Sequence, residues 1–288
     1  MTRTRRRAEA LRGQLLLLPT TLWLGALLVA PLIVVVAYSI GTRGINPPVR
    51  VDWAHPNFAG YRRALDPAFL PIFGRSVVYA AAATLACIAL GFPLAYWIAR
   101  RPPRRRMVFL ALAVVPFLTS YLIRMYAWQF ILQRNGLLNA ILGSVGLGRD
   151  HAFLNTPGAV ILGLTYGFLP FMVLPLYAAI DRMDPTLVEA SYDLGLGRVA
   201  TFRRVILPSV MPGLVAGTML VFIPALGDFV TPALLGGTRT VMFGNTVQDQ
   251  FLGGGNNWPL GSAMAVILMV LITFGVLVEL RRSEDALP

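Results

Sequence analysis

No lysine occurs in the 288 residues; all 25 basic positions are arginine. That absence removes two chemistries. A Walker A loop needs a lysine to reach the nucleotide phosphates, so this chain cannot bind and hydrolyse ATP through one. Schiff-base catalysis needs a lysine amine and is excluded too. Cysteine is nearly absent: Cys87 stands alone in an apolar run. It can form no internal disulfide and is expected to pack as a small hydrophobe. The two histidines, His55 and His151, lie far apart in polar connections, and no His, Cys and carboxylate cluster has metal-ligand spacing. Neither GxSxG nor HExxH occurs. No catalytic residue, metal or cofactor is expected, and the chain is not expected to be an enzyme. Charge is scarce as well, at 13% of residues against about 25% in soluble domains.

What remains is apolar: 56% hydrophobic residues and a mean hydropathy of +0.67, with a net charge of +12. A spanning helix needs about 20 predominantly apolar residues. Six segments qualify, at about 15–40, 76–99, 107–132, 157–180, 209–235 and 261–280. The third is the least clean, because Arg124 and Gln129 lie in its second half. The prolines inside these runs (Pro31, Pro93, Pro116, Pro170, Pro175, Pro224) are tolerated in membranes, where neighbours satisfy the freed carbonyls. The expected fold class is an all-α membrane protein with six transmembrane helices in a single domain over 1–288.

Arginine in short flanking segments sets orientation. It clusters at Arg3, Arg5, Arg6, Arg7 and Arg12, in "RRPPRRR" (Arg100, Arg101, Arg104, Arg105, Arg106), at Arg182, Arg198, Arg203 and Arg204, and at Arg281 and Arg282. With six spans all four clusters fall on one side, the cytoplasm, and both termini lie there. The first apolar run is too long for a secretory signal and lacks a small-residue cleavage site, so an uncleaved first span is expected. The adjoining basic cluster is expected to fix topology and contact anionic lipid rather than nucleic acid. The outer connections carry Trp53, Tyr61 and Trp258, aromatics suited to the membrane interface.

Between the fourth and fifth spans runs "DPTLVEASYDLGLGRVATFRRVILP", within a cytoplasmic loop at 181–208. Asp184 can cap a helix that starts at Pro185. Leu187, Ala190, Ser191 and Leu194 repeat at helical spacing, and Gly195 can end the helix in a left-handed conformation. A second short helix can run from about Arg198 to Ile206, with Pro208 opening the next span. Two short helices outside the bilayer suit either a loop lying on lipid headgroups or an amphipathic helix docked in a partner's groove.

The segment resembles the EAA motif, E-A-A-x-x-x-G-x9-I-x-L-P, of permease subunits in bacterial ABC importers. Glu189, Ala190, Gly195, Leu207 and Pro208 match in register; Ser191 stands where the motif has Ala and Val205 where it has Ile. Residues 117–139 ("FLTSYLIRMYAWQFILQRNGLLN") and 222–237 ("FIPALGDFVTPALLGG"), and more weakly 58–70, are similar to the spermidine/putrescine-type branch. The resemblance implies a type I importer permease in the bacterial inner membrane. It also implies a second related permease, two ATPase subunits and an external substrate-binding protein as partners. The polar helix would sit in a groove on the ATPase, with Glu189 and Arg198 making polar contacts, Ala190 allowing close approach and Gly195 forming the bend. A near-complete switch of such a transporter between its two open states needs about 5.5 kcal/mol of differential binding. The cargo implied is a polyamine, with another small amino compound or an iron- or phosphonate-type solute as the alternative.

A secondary transporter is the rival from a different class, but such proteins often carry repeats and several intramembrane charges. Here the main intramembrane ionisable groups are Arg124 and Asp228. At 1.5 Å per residue they lie about 26 and about 28 Å into their spans, at similar depth. Two readings stand open. They form a structural ion pair or face water at the outer interface, or Asp228 faces the pathway and draws in a cationic substrate, with Tyr126, Trp128 and Phe229 as cation–π neighbours.

Overall fold

With no water at membrane depth, backbone N–H and C=O groups must be paired inside the chain, which leaves helices as the natural solution. The computed structural model of the protein is built that way. It describes residues 3–43, 51–52, 56–146, 148 and 150–285, without the side chains of 3–18 and of several residues past 278. Trp53, His55 and the side chains of the amino-terminal arginines lie outside the described residues. The chain divides into two units, one of residues 1–66 and 249–271, the other of 67–248 and 272–288.

In the first unit, α1 (Arg3–Ser39) leads to a two-residue antiparallel pair, β1 (Thr42–Arg43) on β2 (Val51–Asp52), and then to the short α2 (Ala59–Ala64). The apolar side chains of α1 from Leu22 to Val36 are largely exposed, as on a helix whose surroundings are hydrocarbon. Its end is pinned to α2 by Ser39 Oγ, 2.6 Å from Tyr61 OH. It is also held to the start of α13 (Trp258–Asp285) by the edge-on pair of Tyr38 and Trp258.

The second unit holds α3 (Leu70–Ala99), α4 (Pro103–Val114), a 3-10 turn at Val115–Leu118, α5 (Tyr121–Leu132), α6 (Leu137–Ser144) and α7 (Pro157–Arg182). After these come α8 (Thr186–Asp193), α9 (Arg198–Thr201), α10 (Leu207–Gly227), α11 (Val230–Leu235) and the first part of α12 (Phe243–Leu252), whose residues from Asp249 onward belong to the first unit. Thr156 Oγ1 accepts the N–H of Ala159 and Pro157 sits at the first turn, so α7 starts where its sequence caps it. Helices α3, α7 and α10 pack together around Cys87, Ala95, Met172, Val173, Leu176, Val210 and Val221. The seam uses small residues, the usual device of membrane helix pairs. A Cβ at Gly213 would lie 2.6 Å from the Pro175 carbonyl oxygen, so only glycine lets α10 approach α7 there.

Among the described residues, five helices are long and apolar enough to cross a membrane: Pro19–Ser39, Leu70–Ala99, Pro157–Arg182, Arg198–Gly227 and Trp258–Val278. Pro103–Leu118 and Tyr121–Ser144 make a sixth if taken as one broken span, bent by 88°. The third span, expected over about 107–132, is instead two helices with a sharp bend between them. Pro116 has no N–H to give, and Thr119 Oγ1 donates back to the Pro116 carbonyl at 2.7 Å. The chain takes extended dihedrals at Thr119 and Ser120, since such local bonds compete with the helical ladder. The fifth span, expected over 209–235, begins earlier and stops at Gly227. Asp228 is extended, and α11 is a separate helix.

Candidate functional site

Two interruptions of helix carry the site residues. The first follows α7. Asp184 Oδ1 accepts the Thr186 N–H at 2.9 Å, which holds its carboxyl below the usual carboxylate range. Helix α8 ends in paired closing bonds: Gly195 N–H to Tyr192 O at 2.9 Å and Leu196 N–H to Ser191 O at 3.0 Å. Gly195 has φ +80, the left-handed conformation its sequence position called for.

Glu189, Ala190, Gly195 and Arg198 are exposed. Ser191 is not; its hydroxyl donates to Val188 O at 2.7 Å and lies 3.0 Å from Thr201 Oγ1, with Thr201 fully buried. Ser191 therefore ties α8 to α9 instead of facing outward, because it shares the inward side with Val188. The outward apolar face is Leu187, Ala190, Leu194 (81% exposed) and, beyond the bend, Val199 (72% exposed). Val199 was missed by the sequence reading; its signal is one bulky apolar residue between Arg198 and the next turn.

The second short helix is corrected as well. It does not stop at Ile206. Helix α9 runs through a π turn at Phe202–Ile206 into α10, giving one helical stretch from Arg198 to Gly227. Pro208 is the reason: it cannot donate, and its ring crowds the carbonyl of Arg204. The Leu207 N–H then reaches the Phe202 carbonyl five residues back. Leu207, half-buried, and Pro208, exposed, belong to this stretch and not to a loop.

Beneath α8 lies a pocket of about 360 Å³ lined by Tyr96, Arg100, Arg106, Asp181, Glu189 and Tyr192 among others. Its arginines are engaged. Arg100 lies 4.6 Å over the Tyr96 ring, Arg106 is ion-paired with Asp181, and Arg106 Nε donates to Arg101 O. Arg101 lies 4.2 Å over Trp97. Asp181 gave no sequence signal as a partner, because 75 residues separate it from Arg106.

The second interruption is at Asp228. Its Oδ1 accepts the N–H of Val230 at 2.8 Å and of Thr231 at 3.4 Å. Its Oδ2 accepts the hydroxyls of Tyr121, at 2.7 Å, and of Thr231. Asp228 is 8% exposed. Tyr121 is the first residue of α5, just past the break at Thr119 and Ser120, so the two helix breaks meet at this carboxylate. Neither Tyr121 nor Thr231 was singled out from sequence. The only local hint was an Asp followed three residues later by Thr.

The Arg124–Asp228 ion pair is not formed. Arg106 pairs with Asp181 and Arg134 with Asp150, and no ion pair between Arg124 and Asp228 occurs among the described residues. Tyr121, one turn before Arg124, occupies the carboxylate. The guanidinium carbon of Arg124 lies 4.4 Å over Phe117, 5.5 Å over Tyr121 and 5.9 Å over Tyr166. Its Nε and Nη1 are buried without a partner. Of the aromatic neighbours expected around Asp228, Tyr126 and Phe229 are exposed, and Trp128 packs edge-on against Tyr166 at 5.5 Å. Phe229 is tied in through its carbonyl, which accepts from Asn245 Nδ2 at 2.6 Å.

Comparison with known proteins adds a lineage to this geometry. Residues 88–281 match the family described as binding-protein-dependent transport system inner membrane component. The chain is 38% identical over 263 residues to the spermidine/putrescine transport system permease protein PotB of Escherichia coli (strain K12), covering 91% of this chain and 94% of that protein. It is also 38% identical over 265 residues to the protein of the same name from Haemophilus influenzae, covering 91% of each. Among solved structures, a chain of a bacterial ABC transporter involved in the import of the acidic polysaccharide alginate superposes with a TM-score of 0.73 at 19% identity, over 96% of this chain and 99% of that one. That likeness concerns the fold.

Proposed function

Since the chain belongs to the family of inner membrane components of binding-protein-dependent transport systems, we propose that it forms half of the membrane pathway of an ATP-driven importer whose cargo is a polyamine such as spermidine or putrescine. The observation that carries the cargo assignment is the meeting of two helix breaks at Asp228. Non-helical backbone at membrane depth is tolerated where it is buried in protein or lines a water-filled cavity, and broken helices of this kind hold the cargo in other transporters. The Asp228 carboxylate is held by four neutral donors and no cation. No cationic side chain bonds it directly among the described residues, and a carboxylate so placed favours a cation.

The rest of the machinery follows from what this chain lacks and displays. Without a phosphate-binding lysine, ATP hydrolysis belongs to separate subunits, two ATPases in the proposed assembly, joined by a second related permease and an external binding protein. The arginine distribution supports a cytoplasmic position for α8 and both termini. There Leu187, Ala190, Leu194 and Val199 present an apolar face to an ATPase groove, with Glu189 and Arg198 as polar contacts.

The stroke has a direct route. Ser191 and Thr201 fasten α8 to the stretch Arg198–Gly227, and that stretch, 30 residues long, reaches about 45 Å at 1.5 Å per residue and ends one residue before Asp228. Movement of α8 is delivered to the carboxylate at the far end.

Reconstitution with the two ATPases, the second permease and the binding protein tests the assignment. ATP-dependent accumulation of labelled spermidine or putrescine is expected. Accumulation of an iron chelate, a phosphonate or another amino compound in place of both polyamines would replace the cargo. Accumulation without ATP would replace the mechanism.

A further inference from the structure

Arg124 holds a cation's position without a counter-ion. Ionisable side chains at membrane depth ordinarily face a partner or a water-filled cavity. Arg124 instead has three aromatic faces: Phe117, Tyr121 and Tyr166 surround its guanidinium carbon at 4.4, 5.5 and 5.9 Å. Two of these rings, Phe117 and Tyr166, stack at 6.3 Å between centroids, and Trp128 buttresses Tyr166 edge-on. Rings arranged in this way are a binding site for a cation, as in the aromatic cages that take alkylammonium groups. The third ring, Tyr121, also donates its hydroxyl to Asp228. The box and the Asp228 carboxylate therefore share a residue and form one continuous surface.

Resting on the polyamine assignment above, we propose that Arg124 is a tethered stand-in for the cargo, filling the aromatic box while the pathway is empty and yielding it to an incoming ammonium group. The box has one cation's worth of ring surface, and two positive charges in low dielectric repel strongly. Cargo and Arg124 therefore occupy it in turn. A self-filled box also keeps small inorganic cations from settling beside Asp228 between transport cycles. Arg124 thus sets specificity by competition: it is displaced by a ligand that brings both a charge and an alkyl chain to the rings, as a polyamine does.

The test is equilibrium binding of labelled spermidine to the complete complex in lipid nanodiscs, with the binding protein omitted. Arg124→Met removes the charge and leaves a flexible, unbranched side chain that an incoming ammonium group can push aside, and Arg124→Gln leaves a polar, uncharged one. Both are expected to bind spermidine about tenfold more tightly than wild type, the scale of a desolvated cation–aromatic contact. Adding Tyr166→Leu to Arg124→Met is expected to remove that gain. Equal affinity in wild type and both variants would overturn the proposal. So would failure of both neutral variants to assemble, which would make Arg124 a structural anchor. The polyamine assignment is checked apart from this, by uptake in the wild-type complex with its binding protein. Absence of spermidine uptake there would sink the cargo, whereas the tenfold comparison addresses Arg124 alone.

Discussion

At Asp184 and at Asp228 an apolar helix has just ended, and a carboxylate oxygen takes the backbone N–H two residues on. The distances are 2.9 Å to Thr186 and 2.8 Å to Val230, and a new helix begins. The local chemistry is the same. The surroundings are opposite: Asp184 is exposed, and Asp228 is buried with Tyr121 and Thr231 hydroxyls on its second oxygen. Water solvates the first charge. At the second, protein hydroxyls replace water, which is preorganised and held by a residue 107 positions away in sequence. A helix-starting carboxylate is thus an exposed turn device at Asp184 and a buried, hydroxyl-lined group at Asp228, and the difference lies in what solvates it.

That contrast can be broken first at its buried end. Asp228→Asn keeps an acceptor for the Val230 N–H but removes the charge. Uptake by the reconstituted complex is expected to fall by at least about tenfold, the loss of one charge-assisted contact. ATPase activity stimulated by the binding protein should remain. Full uptake would remove Asp228 from the pathway.

At the exposed end the sharpest lesion is backbone. Gly195→Val places a β-branched side chain at φ +80, at a cost on the order of 1–3 kcal/mol. Co-purification of the ATPase is expected to weaken while the chain still inserts. Unchanged co-purification and uptake would show that the bend does not set the docking geometry.

Ser191→Ala is milder. It deletes a hydrogen-bonding link to Thr201 worth about 0.5–1.5 kcal/mol and leaves the outward face intact. The expected result is normal ATPase association with fewer cargo molecules moved per ATP. An unchanged ratio would mean that α8 and α9 move together without this link.

The smallest effect is at Asp184. Its lowered pKa means that its contribution is complete above the ordinary value of 3.8 and is lost as pH falls below it. Protection of the Thr186 amide, relative to its intrinsic exchange rate, should fall only in that acid range, and Asp184→Asn should remove that fall.

The six apolar segments were legible because hydropathy counts residues in one window, and five of them contain a long helix close to where it was expected. The turn at Gly195 was legible for a related reason: a left-handed helix stop has a local residue preference. The breaks were harder. Thr119 bonds back to Pro116, and a Pro-x-x-Thr string gives no warning that it will turn the chain through 88°. Asp228 looked like a partner for Arg124 because a count of depth puts the two charges level. Depth does not reveal that Tyr121 stands between them. Ser191 seemed part of an outward stripe because 3.6-residue spacing groups it with Leu187 and Leu194, whereas its hydroxyl found Thr201 across the bend. In each case the missing information was a tertiary contact made by a polar group.

The π turn before Pro208 sets the phase of the long helix. From Ile206 onward the inward residues Ile206, Val210, Gly213, Gly217, Val221 and Ala225 follow one another at the three- and four-residue steps of an α-helix. Thr201, also inward, stands five residues before Ile206. A residue in an α-helix turns the face by about 100°, so the stretch carries one phase slip, and the π turn absorbs it. Upstream and downstream faces stay aligned only because the slip and the extra residue cancel. The proline that blocks the ordinary ladder also keeps the two halves of the helix in phase.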